Sequence, residues 1–289
     1  MSGQIPLIIL NEVYYNYPNR TIALKNISLN VYKGELVGIM GMNGAGKTTL
    51  IRTLNGLIRP SNGTVNIEGE NIENKSIGVL SKKIGLIFQN PEHQIFSNTV
   101  EDEIKFSLNS LNLSQEEINL RTDETLKTFN LEKYRDRSPM NLSGGESKKL
   151  AIASIICRDP DILVFDEPTL GQDEKEINFF TKLLNLEREQ GKTIIIVTHN
   201  IEFAMEYIPR IILMANGRII ADGETKKILT NQFLVKKSSL ILPQTHKLKL
   251  ELNKLGIQCP EDIYSKNEMI KFLTDYLNNK STKVPDVND

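Results

Sequence analysis

Gly41-Met42-Asn43-Gly44-Ala45-Gly46-Lys47-Thr48 sets three glycines, a lysine and a hydroxyl in the spacing G-x-x-x-x-G-K-[ST]. Glycines so placed let a backbone approach a polyphosphate with its N–H groups turned inward, and a helix opening at Lys47 adds its positive end. Lys47 would reach the β- and γ-phosphates, the Thr48 hydroxyl would ligate Mg²⁺, and Thr49 would complete the contacts of the first turn. The flanks suit this chemistry. Leu36-Val37-Gly38-Ile39-Met40 reads as a strand buried on both faces, and Leu50, Ile51 and Leu54 mark the inner face of a helix that Gly56 is placed to end.

A second apolar strand, Ile162-Leu163-Val164-Phe165, delivers two adjacent carboxylates, Asp166 and Glu167. Ligands of open α/β sheets bind at the C-terminal edge of the strands. Successive side chains there point different ways, so Asp166 can hold the metal while Glu167 faces an attacking water as general base. Without the phosphate loop the default for such a pair would be an exposed acidic strand end. His199 follows a third buried run, Thr193 to Thr198, and so emerges on the same edge, where it could donate to the γ-phosphate or the water. His93 and His246 lack that placement and read as plain surface or packed residues. Gln89 ends Ile84 to Phe88; a strand-terminal amide can touch Mg²⁺ or water and sense the γ-phosphate, although alone it would be an ordinary loop residue. The chemistry these groups add up to is hydrolysis of a nucleoside triphosphate with Mg²⁺, and their order is similar to that of ATP-binding-cassette ATPases, which implies ATP.

With Leu142-Ser143-Gly144-Gly145-Glu146 between those elements, the chain resembles an ABC transporter nucleotide-binding subunit over roughly residues 7 to 225. The resemblance implies a P-loop NTPase ABC cassette of α/β class: a mixed-sheet core, an antiparallel β subdomain, a helical subdomain at about 91–158 and a small C-terminal extension. It makes Gly41 to Thr48 the Walker A loop, Ile162 to Asp166 Walker B, Gln89 the Q-loop glutamine, Gly171-Gln172-Asp173 the D-loop and His199 the switch histidine. It also implies that Ser143, Gly144, Gly145 and Asp173 serve ATP bound by a second ATPase subunit, homo- or heterodimeric. An adenine-stacking aromatic is expected upstream of Walker A, and Tyr17 stands there, with Tyr14 and Tyr15 as close rivals whose other role is plain strand packing.

Two positions depart from the family pattern. Glu146 stands where Gln is usual and Gln172 where Leu is usual. Ser143 and Glu146 fit the capping box S/T-x-x-E/Q, a role either Glu or Gln can fill. Glu146 nevertheless brings negative charge towards ATP, which would weaken a closed dimer, and Gln172 bears on signalling between subunits.

The remaining chain sets the context. At 289 residues the chain can bury a full α/β core with a small appendage, and its net charge is −1. With no basic stripe and no RNA-binding aromatic motif, no nucleic-acid partner is expected. Cys157 and Cys259 stand far apart, suggesting neither a disulfide framework nor a zinc site and suiting a reducing cytosol. The apolar runs are only strand-length, so any membrane attachment must come through another protein. Strands are expected over 8–31 and from Asn62-Gly63 through Ile67, a hairpin at Asn216-Gly217, and helix starts at Thr99, Ser114 and Ser265. In the tail, a helix over 248–255 and an apolar stripe of Met269, Ile270, Leu273, Tyr276 and Leu277 are expected, the stripe serving packing or dimerisation, and the last ten or so residues read as frayed. The chain thus divides into 1–225, the cassette, and 226–289, the extension.

Asn90-Pro91-Glu92-His93-Gln94-Ile95-Phe96, Thr99 to Glu103 and the tail from Leu240 resemble the ATPases of energy-coupling factor transporters, including the cobalt and nickel uptake group. That resemblance implies a peripheral place on the cytoplasmic face of the cell membrane, under an integral coupling subunit, with a separate subunit capturing a vitamin or metal ion. Pro91 to Phe96 would then meet the coupling subunit, or Phe96 would simply fill the core. The competing class is a soluble ABC ATPase of DNA repair or translation. Its chromosome type splits the Walker motifs with a long coiled coil, absent between Thr48 and Asp166, which stand 118 positions apart, and its translation type carries two cassettes in one chain.

Overall fold

The computed structural model describes residues 5–90 and 94–281, so Pro91, Glu92, His93 and the C-terminal end expected to fray lie outside the described residues. Strands β1 (Pro6–Asn16) and β2 (Ile22–Tyr32) pair antiparallel before β3 (Leu36–Met40) leads into helix α1 (Lys47–Leu54). Strands β4 (Asn62–Ile67) and β5 (Glu70–Asn71) return to β1, giving an antiparallel sheet ordered β2-β1-β4-β5. Helix α2 (Ile77–Lys83) feeds β6 (Ile84–Ile87). Helices α3 (Val100–Asn109), α4 (Gln115–Thr128) and α5 (Gly144–Ile156) form the helical subdomain. The chain then alternates: β7 (Ile162–Asp166), α6 (Glu174–Glu189), β8 (Thr193–Val197), α7 (Ile201–Tyr207), and the hairpin β9 (Arg210–Ala215) and β10 (Arg218–Glu224).

The second sheet runs β10-β9-β3-β8-β7-β6. All its pairings are parallel except β10 on β9, so it is mixed, as expected. Strands β3, β7 and β8 are buried at every position, which explains their unbroken apolar runs. Alternate residues feed two cores. Leu163, Phe165, Ile194 and Ile196 face the helical subdomain, packing with Phe129 and Leu150; Val37, Ile39, Val164 and Ile195 face α1 and the antiparallel sheet, packing with Leu10 and Leu50. The helix starts follow the capping chemistry: Thr99 caps α3, and Ser114 and Ser143 form complete boxes with Glu117 and Glu146.

Helices α8 (Thr225–Thr230) and α9 (Gln232–Lys237) still belong to the large core, through Ile228, Leu229 and the half-buried Leu234. A separate small core forms further on, where α10 (Gln244–Lys254) and α11 (Lys266–Ser281) enclose Leu252, Cys259, Ile263 and Met269. Helix α10 begins at Gln244, before the expected 248, because Pro243 occupies the cap and needs no donor there. The α11 stripe divides: Met269 is buried and Leu273 packs on the small core, whereas Ile270 and Leu277 are exposed. One residue turns a helix by about 100°, which carries Ile270 away from the face of Met269 and Leu273.

The loop after β3 needs its glycines unequally. Gly41 has φ 146°, and a Cβ there would lie 2.2 Å from the Met214 carbonyl oxygen; Gly44 has φ 80° with open space around it. We expect Gly44→Ala to destabilise by about 1–2 kcal/mol through its left-handed backbone. Gly41→Ala should cost a further ~1–3 kcal/mol because backbone must move. Urea denaturation of the two variants checks the order, and equal losses would refute it.

Candidate nucleotide site

The C-terminal ends of β3, β8 and β7 lie side by side, and the expected chemistry collects there. Lys47 is buried, its ammonium donating to the carbonyls of Gly41 at 2.8 Å and Met42 at 3.1 Å. Burial pushes its pKa down, and the charges of Glu167 and Asp166 oppose that shift. Met42, Asn43 and Gly44 form the exposed rim of the loop, while Ala45 and Gly46 are buried beneath it. Phosphate oxygens could take the place of the two carbonyls as acceptors without leaving the ammonium unpaired.

The Thr48 hydroxyl donates to Asp166 Oδ2 at 3.1 Å. Burial raises the Asp166 pKa, and this hydrogen bond pulls it part of the way back. A hydroxyl and a carboxylate in contact beside a phosphate loop are the hard oxygen donors Mg²⁺ takes, so the residues present fit that ion. Gln89 leaves the same sheet edge, two residues past Ile87, which pairs with Phe165 of β7. It is exposed after β6, on the wall of a cleft of about 400 Å³ lined also by Gly144, Lys148, Leu170 and Glu176.

Glu167 is buried and has φ 53°, a left-handed backbone rare for a residue with a side chain. Its N–H donates to the Val197 carbonyl at 2.8 Å, which fixes the turn. Its Oε1 lies 2.9 Å from His199 Nδ1, and its Oε2 accepts from the His199 N–H at 3.2 Å. A carboxylate so held on one side is oriented for proton transfer on the other. His199 is half exposed, so the ring the sequence aims at the γ-phosphate is also clamped to Glu167.

Of the three tyrosines upstream, Tyr17 is the one tied to α1. Its hydroxyl is 3.0 Å from Thr49 Oγ1, and its ring meets Tyr15 edge to face with centroids 5.0 Å apart. Thr49, expected to touch nucleotide, is buried and its hydroxyl seats Tyr17.

Gly144 and Gly145 line the cleft that Gln89 lines, beside the caps of α5 and α6. Ser143 caps α5, and Asp173 caps α6 in a box with Glu176. The Glu146 carboxylate accepts from the Ser143 N–H at 2.8 Å and from the Tyr134 hydroxyl. Lys133 and Arg137 lie over the Tyr134 ring at 4.6 and 5.0 Å. The expected intrusion of negative charge is therefore turned towards the helical subdomain. Tyr134, the Ser143 N–H and lesser contributions from the Ser143 hydroxyl and Lys133 hold the Glu146 pKa at about 2, against 4.5 ordinarily.

Within the stretches that carry the resemblance, the sequence did not show these supporting contacts. Glu103, buried in α3, accepts the N–H groups of Phe96 at 3.1 Å and Ser97 at 2.9 Å. Gln94 accepts from the Phe88 N–H at 2.9 Å and donates to the Leu86 carbonyl at 3.0 Å, pinning the segment after Gln89. Phe96, for which a core place was one expectation, is 63 % exposed and meets the exposed Phe106 edge to face at 4.6 Å.

Residues 24–170 match the ABC transporter family model, and residues 243–280 match that of the energy-coupling factor transporter EcfA1 C-terminal domain. The chain belongs to the ABC transporter ATPase family. It is 40 % identical over 252 residues to the energy-coupling factor transporter ATP-binding protein EcfA of Methanococcus maripaludis, covering 86 % of this chain and 91 % of that one. It is 42 % identical over 257 residues to EcfA2 of Methanospirillum hungatei, and 38 % identical over 255 residues to a putative ABC transporter ATP-binding protein of Methanosarcina acetivorans. Each alignment takes in 88 % of this chain but only 65 % and 42 % of those relatives' lengths. Among solved structures, cbiO1 of Clostridium perfringens, part of the ABC transporter complex cbiONQ, superposes with TM-score 0.72 at 33 % identity, covering 88 % of this chain and 98 % of that one. An ATP-binding cassette solved as a dimer in a post-hydrolysis state with ADP and Pi gives TM-score 0.69 at 32 % identity, covering 75 % and 98 %. Its relatives include ATP-binding proteins of energy-coupling factor transporters.

The Tyr134 bond makes a pH prediction. A carboxyl whose folded pKa is depressed adds stability that is present above the unfolded value, near 4.5 for Glu146, and is lost as pH falls towards 2. Tyr134→Phe removes the largest contribution. The Glu146 carboxylate, followed by NMR, should then titrate at a higher pH, and the acid-side fall in melting temperature, which starts near the unchanged unfolded value in both proteins, should be smaller and complete at a higher pH. An unchanged Glu146 titration would show that Tyr134 does not hold it.

Proposed function

We propose that this chain is the ATP-hydrolysing subunit of an energy-coupling factor importer for a vitamin or transition-metal ion, working by ATP-driven closure of a dimer. The observation that carries the chemistry is the Glu167 and His199 pair, at 2.9 Å, beside Lys47, Thr48 and Asp166 on one sheet edge. In this reading Tyr17 stacks on adenine, and Gly41, Met42, Asn43, Gly44, Ala45, Gly46, Lys47, Thr48 and Thr49 cradle the phosphates. Mg²⁺ held by Thr48 and Asp166, with Gln89 reporting on the γ-phosphate, would neutralise charge on the β- and γ-oxygens. Glu167 orients a water towards the γ-phosphorus and accepts its proton as the oxygen–phosphorus bond forms. The bond to the β-γ bridging oxygen breaks, and ADP leaves with that electron pair, its charge met by Lys47 and the loop N–H groups. His199 holds Glu167 in line and presents its second ring nitrogen to the γ-phosphate.

Gly144 and Gly145 line a cleft that none of Lys47, Thr48 or Asp166 lines, and Ser143 and Asp173 cap the helices α5 and α6 beside it. That separation supports assigning them to ATP bound by a second ATPase subunit, homo- or heterodimeric, and the cassette solved as a dimer with ADP and Pi is a relative in which two copies associate. Glu167→Gln should keep ATP binding while slowing turnover roughly 10²- to 10⁴-fold, and should accumulate a dimer with ATP but not ADP. Lys47→Ala should weaken binding itself. Near-normal hydrolysis by purified Glu167→Gln, or equal dimer fractions with ATP, ADP and no nucleotide, would overturn the scheme.

The membrane half of the reading rests on the tail match at 243–280 and the energy-coupling factor relatives. Among the described residues no helix is long and apolar enough to cross a membrane, so attachment to its cytoplasmic face would come through the coupling subunit, itself joined to a substrate-capture subunit. The exposed Phe96 and Phe106 pair is our contact for that partner. Phe96→Ala should leave the melting temperature and nucleotide affinity of the isolated chain unchanged while reducing its recovery with membranes. A large loss of stability would show instead that Phe96 supports the helical subdomain, and full recovery with normal coupling would show that Phe96 is not the contact.

A further inference from the structure

One buried cation has no part in the hydrolytic scheme. Lys148, in α5, is 7 % exposed and sits near the helix's positive end, where an ammonium is doubly disfavoured. Its Nζ donates to the main-chain carbonyl of Leu170 at 3.1 Å. Burial pulls its pKa down, and the carboxylates of Glu176 and Glu167 act against that shift. Leu170 in turn donates its N–H to the Glu167 carbonyl at 3.3 Å. A short path of hydrogen bonds therefore runs from the proposed general base, through Leu170, to the helix that Ser143 caps.

A second contact reinforces it. Gly145 backs onto Glu176 so closely that a Cβ there would lie 1.8 Å from Glu176 Oε1. Glu176 is also the capping partner of Asp173. The first turns of α5 and α6 thus touch, one through Gly145 and one through the cap of the Gly171-Gln172-Asp173 turn. Lys148 closes this contact from beneath, since no other side chain donates to the Leu170 carbonyl among the described residues.

We propose that Lys148 is a positioning residue: it binds the Ser143 turn and the 171–173 turn into one unit, so that the state of Glu167 in one ATP site is felt by the signature helix serving the other. This rests on the ATP-sandwiched dimer described above. Without the strut, the two turns would meet the partner separately and the sites would act more independently.

The test uses the full chain with Lys148→Met, which keeps length but neither charge nor donor, and Lys148→Arg, which keeps both. The Lys148→Met variant should hold the ATP affinity of the dilute monomer within about twofold, and in the Glu167→Gln background should raise the ATP concentration for half-maximal dimerisation about tenfold, as for a lost charge-assisted hydrogen bond. In the wild-type background its Hill coefficient for hydrolysis should fall towards one, and Lys148→Arg should restore most of both effects. An unchanged dimerisation midpoint and Hill coefficient would overturn the proposal. So would a fall in melting temperature and monomer ATP affinity with cooperativity intact, because that is what a merely structural lysine would give. If Glu167→Gln alone fails to dimerise with ATP, the sandwich reading itself falls and the strut with it. Should Lys148→Met melt below the assay temperature, Lys148→Gln takes its place, and the same readouts decide.

Discussion

The register of three parallel strands is the constraint on which the nucleotide site depends. Ile39 of β3 is paired with Val197 of β8, and Val197 with Asp166 of β7, so the three residues lie in one row across the sheet. The strands leave that row together: the phosphate loop begins just past Ile39, His199 just past Val197, and Glu167 directly after Asp166. Neighbouring strands are about 4.8 Å apart, which brings groups remote in sequence within reach of one nucleotide. A slip of one residue would turn Asp166 to the other face and part it from Thr48. The unbroken burial of β3, β7 and β8 guards against that slip, because each residue is already committed to one of two cores.

Backbone hydrogen bonds carry the register into the loops. The Thr198 N–H reaches the Ile39 carbonyl at 3.2 Å, and the Glu167 N–H reaches that of Val197 at 2.8 Å. The second holds Glu167 in its left-handed conformation, at a cost of about 1–3 kcal/mol that the surrounding ladder must offset. Strain at a carboxylate that is buried and clamped by a histidine is what a preoriented base requires. Ser143 and Asp173 show the same economy with different chemistry, since in each box a single carboxylate satisfies the cap N–H while the cap oxygen satisfies a donor inside the helix.

Groups whose chemistry dictates spacing were legible in the sequence. The phosphate loop needs its glycines, lysine and hydroxyl in fixed order, and the capping boxes need partners three residues apart, so Lys47, Thr48, Ser114 and Ser143 could be placed without coordinates. The strand ends with Asp166, Glu167 and His199 were legible for the same reason, their apolar runs having helix-bearing neighbours. Contacts that span the fold were not. Tyr134 meets Glu146, Glu103 meets Phe96 and Lys148 meets Leu170 through packing of helices and loops, and no periodicity marks them. Nor could the pattern say how tightly a stripe is covered, which is why Ile270 and Leu277 proved exposed while Met269 is buried.

Glu146 shows how a departure in sequence can be neutralised in space. A carboxylate at the mouth of α5 would repel a triphosphate if it pointed outward, and helix dipoles alone would not cancel a full charge. Here both its oxygens are engaged, one by the Tyr134 hydroxyl and one by the Ser143 N–H, and Lys133 lies nearby. The charge is spent within its own subdomain, and the face that α5 offers across the cleft is the Ser143 hydroxyl with the backbone of Gly144. That face has no phosphate of its own to bind, since Lys47 and the phosphate loop open on the sheet edge. In the proposed dimer another chain's nucleotide would complete the arrangement, and Lys148, joining that face to the turn after Glu167, would make the two halves answer to each other.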